Sequence, residues 1–119
     1  MLPLKNRLQT RKDFGEAKTK GQKYQSHLFG LLVYPTNSEA TRFGFIVSTK
    51  ISKKATQRNK VKRRLRESIK KILPTLKTGY DVVFLGKKEL LDKKLSEISV
   101  EVINTFGKAG LLRRVEPEK

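Results

Sequence analysis

Residues 42–73 read RFGFIVSTKISKKATQRNKVKRRLRESIKKIL, and Pro74 follows. The first eight alternate: Phe43, Phe45 and Val47 stand against Arg42, Gly44, Ile46 and Ser48, the period of a β-strand over Arg42 to Thr49. From Thr56 the period changes. Val61, Leu65, Ile69 and Ile72 recur at helical spacing and form one apolar face, so Thr56 to Leu73 reads as the principal helix. Pro74 stops it, because the residue before a proline avoids the helical region.

Outward from this pair the rest of the chain takes shape. Upstream, Leu28 to Tyr34 is an apolar β-rich run closed by the turn formers Pro35, Thr36, Asn37 and Ser38. With Arg42 to Thr49 it is expected to form a hairpin-like antiparallel pair. Thr10 to Lys20 reads as a short helix with Thr10 as its cap, Asp13 in the first turn and Gly21 after the end. Leu8, Phe14 and Ala17 are its apolar positions. Downstream, Tyr80 to Leu85 is a third strand between Gly79 and Gly86, and Lys87 to Leu91 a short helical turn. Ser96 to Leu112 is a last helix with Ile98, Val102, Ile103 and Phe106 inward, and Gly107 is placed to end it early. The tail from Arg113 to Lys119 is expected to fray. The order α-β-β-α-β-α over 119 residues predicts one α+β domain, a sandwich of a mostly antiparallel sheet and helices.

Charge dominates the composition. The chain holds 28 Lys and Arg against 11 Asp and Glu, for a formal net charge of +17. Such an imbalance repels itself in the folded state and points to a polyanionic partner. There is no cysteine, which excludes disulfides, thiolate catalysis and cysteine-based zinc sites. No apolar run has the length of a membrane span, and the basic N-terminus lacks the apolar core of a secretory signal. The expectation is a soluble, cytoplasmic protein with no membrane partner and no small-molecule substrate.

The cations concentrate on the principal helix. Lys50 to Lys71 contains eleven basic residues, with Glu67 as its one acid. A merely solvated helix mixes signs to gain i,i+4 pairs, and this one does not. Arg58 and Lys60 also lie in the first turn, where the helix dipole favours anions. At about 100° per residue, Asn59, Arg63, Arg66 and Lys70 fall within an arc of about 60°, bordered by Lys62. An amide among guanidinium groups suits phosphate contacts together with a hydrogen bond to sugar or base. Without a helix-turn-helix, zinc finger or zipper, RNA is favoured over DNA. On the preceding strand Arg42, Gly44, Ser48 and Lys50 are read as one face. Small and cationic side chains there would admit an RNA backbone, or equally a packed helix.

Nothing forms an acid/base pair or a metal-ligand set. His27 is the sole histidine and lacks a partner. Asp81 at a strand start is expected to hydrogen-bond locally, and Asp13 and Glu16 to offset neighbouring cations. No glycine-rich loop stands between a strand and a helix. The protein alone is therefore expected to hold no metal and cleave nothing.

Arg58-Asn59-Lys60-Val61-Lys62-Arg63-Arg64-Leu65-Arg66 resembles the R-N-x-x-K-R-x-x-R signature of the bacterial ribonuclease P protein family. Residues 42–50 resemble the strand before that helix, Asn6-Arg7-Leu8 with Asp13-Phe14 its first helix, and Tyr80-Asp81-Val82-Val83 its later strand. The resemblance spans roughly residues 5 to 110. It implies an α/β sandwich with a left-handed β-α-β crossover, an exception to the usual hand. It implies a large catalytic RNA as partner, which removes the 5′ leader of precursor tRNA with magnesium held by the RNA. It also implies that Arg58, Asn59, Lys62, Arg63 and Arg66 face that RNA, to which Lys60 and Lys70 are added as neighbours. A cleft between the first helix and the sheet would hold the leader. Phe14 matches an aromatic position there, and Lys18 stands where family members often carry a second aromatic. Phe29, Arg42, Ser48 and Lys50 are further expectations for that cleft, with Phe29 equally readable as core. The rival functions are a structural RNA-binding protein, ribosomal or chaperone, and a basic membrane-surface protein. The latter would need exposed bulky residues beside the charges, whereas Val61, Leu65, Ile69 and Ile72 read as core.

Overall fold

The structure, a computed structural model, describes residues 2–112. Its main elements are helix α1 (Arg11–Lys20), strands β1 (Gln22–Gln25), β2 (Phe29–Pro35) and β3 (Arg42–Ile46), helix α2 (Ala55–Ile72), strand β4 (Tyr80–Gly86) and helix α3 (Leu95–Ala109). Short 3-10 turns cover Leu4–Asn6, Leu73–Thr75 and Lys88–Asp92. The expected tail from Arg113 to Lys119 lies outside the described residues.

Local chemistry explains the helix ends. Thr10 is extended, and its hydroxyl accepts the Asp13 backbone N–H at 3.1 Å, starting α1 as a side-chain cap does. Pro74 lies in the 3-10 turn directly after α2. α3 begins where the Glu97 carboxylate accepts the Lys94 N–H, and ends at Gly110, whose φ of +72° is the left-handed conformation glycine adopts freely. Gly107, expected to end this helix, lies within it. Ile103, expected inward, is 41% exposed. Ile98, Val102 and Phe106 define the buried stripe, and one residue beyond Val102 is a 100° turn away from it.

The sheet order is β1-β2-β4-β3. β2 is antiparallel to both β1 and β4, whereas β3 pairs with β4 in parallel. The expected hairpin of residues 28–34 with 42–49 therefore does not form, because β4 lies between the two strands. The residues after β2 instead tie themselves to the approach of β4. The Thr36 N–H donates to the Gly79 carbonyl at 2.7 Å, and the Thr41 hydroxyl donates to the Lys77 carbonyl at 2.6 Å. β3, α2 and β4 make a parallel β-α-β unit, with β4 central and apolar over Val82, Val83 and Phe84.

Helices cover both faces. On one, Phe29, Leu31, Val33, Phe43, Val82 and Phe84 pack with Val61, Leu65 and Ile69 of α2 and Ile98, Val102 and Phe106 of α3. On the other, Leu32 and Val83 pack with Leu8 and Ala17, and Phe14, Tyr34, Ile46 and Leu85 flank them. Among the described residues no helix is long and apolar enough to cross a membrane.

Candidate nucleic-acid interface

α2 displays its cations in two directions. Asn59, Lys60, Arg63 and Lys70 are exposed, and Lys62 and Arg66 are half-buried. Arg66 lies with its guanidinium carbon 5.6 Å from the centroid of the Phe45 ring, a cation-π contact with β3. Arg64 turns the other way and donates to the Lys93 carbonyl at 2.8 Å. Arg58 donates to the Ser52 carbonyl at 2.9 Å, a local bond that offsets its unfavourable place in the first turn. Four sites therefore stand open to solvent and two lean toward the edge of β3.

The α1 face of the sheet is built in rows set by the strand register. Arg42, Asp81 and Tyr34 form the first row, and Gly44, Val83, Leu32 and Lys23 the second. Ile46, Leu85, Gly30 and Gln25 form the third, at the C-terminal ends of β3 and β4. α1 covers the second row. A Cβ built on Gly44 would overlap the Phe14 ring, 2.5 Å from Cζ, so the absent side chain is what seats Phe14 on the strand. The third row is more open: Ile46 and Leu85 are half-buried and Gln25 is exposed. Lys18, one turn after Phe14, is exposed.

Three of the residues expected in the cleft lie outside the α1 face of the sheet. Phe29 is fully buried on the opposite face, with its ring 4.9 Å from that of Phe84. Its neighbour Gly30 occupies the α1 face instead. Ser48 and Lys50 are exposed in the turn after β3, because the strand ends at Ile46 and its alternation goes no further. The Ser48 carbonyl accepts the Ile51 N–H there at 3.1 Å.

Arg42 is on the expected face but already engaged. Its Nε and Nη2 donate to the two carboxylate oxygens of Asp81 at 2.9 and 2.8 Å, and Nη1 donates to Asp13 at 3.1 Å. Asp81, expected to bond locally, is thus one arm of a bridge that fastens α1 to β3 and β4. Its side chain is only 3% exposed. The Thr10 hydroxyl, ahead of the Arg42 guanidinium, holds the Asp13 carboxyl below its ordinary range. The hydrogen bonds to Asp81 push Arg42 further up. Among the described residues no group of three or more His, Cys, Asp and Glu side chains could hold a metal ion.

The arrangement has a single exposed seam. The Ser48 to Lys50 turn and the start of α2 follow the C-terminal end of β3, which pairs in parallel with β4, the kind of place where open sheets bind ligands. Reasoning from the sequence did not single out Ile46, Leu85, Gly30, Phe45 or Arg7 here. The alternation of β3 showed that Phe45 and Ile46 face opposite ways, but not which faces remain open.

Comparison with known proteins gives one answer. The chain matches the Ribonuclease P family over residues 2–110. It is 33% identical to the ribonuclease P protein component of Chloroflexus aggregans, covering 95% of this chain and 84% of that one. It is 34% identical to that of Pseudanabaena, covering 94% and 97%. The fold superposes on the RNase P protein of Thermotoga maritima with a TM-score of 0.77 at 28% identity, over 93% of this chain and 98% of that one. On the Staphylococcus aureus RNase P protein the TM-score is 0.82 at 22% identity, over 91% and 98%. The chain belongs to the ribonuclease P protein family.

Proposed function

We propose that this chain is the protein subunit of ribonuclease P, which binds the catalytic RNA and the 5′ leader of precursor tRNA and assists removal of the leader. The observation that supports this reading is the meeting, at the free edge of β3, of Lys62 and Arg66 of α2 with Phe14 seated over Gly44. Asn59, Lys62, Arg63, Arg66 and Lys70 suit a folded RNA, whose phosphates they would neutralise. Phe14 over Gly44, with Ile46 and Leu85 beyond it, suits a single strand whose bases can stack or lie on apolar surface.

The division of labour follows from the side chains. The described residues offer cations and apolar surface but no paired acid and base, and hydrolysis is assigned to the RNA partner and the magnesium it holds. The protein contributes charge neutralisation and a fixed path for the leader. It works in the cytoplasm, with precursor tRNA as the shared substrate.

Gly44→Ala tests the leader path without touching α2. The added Cβ pushes the Phe14 ring off β3. A reconstituted holoenzyme carrying it binds precursor tRNA about ten-fold more weakly, the worth of one lost base stack. Its affinity for mature tRNA is unchanged. Equal losses for precursor and mature tRNA would remove Phe14 from the leader path.

A further inference from the structure

A small cleft of about 180 Å³ opens at the free edge of β3, between Phe14 of α1 on one side and Lys62 and Arg66 of α2 on the other. Arg7, Phe14, Gly44, Phe45, Lys62 and Arg66 line it. Three cations and three phenylalanines, Phe43 among them, share this space with no acid in the lining.

Three features of the cleft point to one kind of ligand. The first is a stack. The Phe84 and Phe45 rings lie 5.4 Å apart and 17° from parallel, and Arg66 continues the column beyond Phe45. A guanidinium held on a ring presents its outer side as a platform, and unpaired bases stack on such planes. The second is the strand backbone. The Phe43 carbonyl points away from β4 and accepts the Leu8 N–H at 2.9 Å. Groups two residues apart on a strand point the same way, so the Phe45 N–H and carbonyl face this edge too. They offer one donor and one acceptor beside the platform, which suits the edge of a base or a ribose hydroxyl. The third is charge. Lys62 flanks the platform on α2, and Arg7 flanks it with Nη groups left after its Nε donates to the Leu2 carbonyl at 2.9 Å.

We propose that this edge cleft is a subsite for one unpaired nucleotide of the bound RNA. The base stacks on the Arg66 guanidinium, the Phe45 backbone meets its polar edge, and Lys62 and Arg7 neutralise the adjoining phosphates. The proposal rests on the functional reading above and refines it, giving Arg66 a stacking role that a plain phosphate contact lacks. The nucleotide belongs either to the RNA subunit or to the leader of the precursor, and the two sources separate experimentally.

The test uses the reconstituted holoenzyme with a photoreactive benzoylphenylalanine replacing Gln9, an exposed residue on the rim of the cleft. Irradiation crosslinks it to a single unpaired nucleotide. A crosslink formed without substrate assigns the nucleotide to the RNA subunit, and one formed only with precursor tRNA assigns it to the leader. In parallel, Arg66→Lys keeps the charge and loses the plane. It weakens binding of the crosslinked RNA about ten-fold, the worth of one stacked base, with no change in the slope of affinity against salt. A holoenzyme that assembles and cleaves yet gives no crosslink from position 9 overturns the subsite, as does an Arg66→Lys variant with wild-type affinity. A wild-type protein that neither binds nor stimulates the RNA overturns the functional reading itself.

Discussion

Replacing Arg42 with methionine lowers the stability of this protein by about 3–5 kcal/mol, the usual loss when one member of a buried ion pair is removed. Asp81, its side chain 3% exposed, keeps a charge but loses both bonds that compensated it. α1 loses its polar tie at the same time. It is weakly anchored otherwise, since Ala17 is its one buried residue. Urea unfolding measures the loss. Pairing Arg42→Met with Asp81→Leu removes the stranded charge and recovers most of it. A loss below about 1 kcal/mol in the single variant would make the bridge an ordinary surface pair. The Asp13 arm has its own pH signature. Its carboxyl is depressed in the fold, so its contribution is complete above the ordinary Asp value near 3.9 and disappears as pH falls through the lower folded value.

The second large effect is electrostatic. Changing Lys62, Arg63 and Lys70 together to alanine weakens binding to ribonuclease P RNA by roughly a hundred-fold at moderate salt, a modest charge-assisted contribution from each cation. The slope of log affinity against log salt becomes shallower by about three units at most, close to one per lost phosphate contact. Lys94 and Lys108 are equally exposed but lie at the two ends of α3. Their replacement leaves the slope nearly unchanged. Equal effects from both sets would mean that net charge, and not the face of α2, holds the RNA.

These expectations combine what the residues say locally with what only the fold reveals. α2 was legible because its apolar period, cationic face and terminal proline are all contained in one stretch. α1 was legible for the same reason, with cap, first-turn acid and final glycine inside a dozen residues. Strand order was not. Pro35 to Ser38 announce that a strand ends, but a turn signal does not say which strand lies alongside, and β4 is found only through the crossover of α2. β1 escaped notice because Gln22-Lys23-Tyr24-Gln25 is polar and exposed, an edge strand formed by pairing with β2.

The candidate site divides the same way. Arg63, Lys70 and Phe14 stand where helical periodicity puts them. The ion pairs of Arg42 were not legible because its partners lie 29 and 39 residues away, beyond any local pattern. Phe29 stood open between cleft and core because its face depends on register, and a shift of one residue exchanges it with Gly30. Phe45 carries a strand signal but no local sign of a role. Its ring matters only because α2 brings Arg66 over it.

The most direct measurement is cleavage of a precursor tRNA by a bacterial ribonuclease P RNA at low magnesium, with and without this protein. The account predicts strong stimulation that saturates at one protein per RNA, and no cleavage by the protein alone. Tight RNA binding without stimulation would contradict it and leave a basic RNA-binding protein with no part in leader removal.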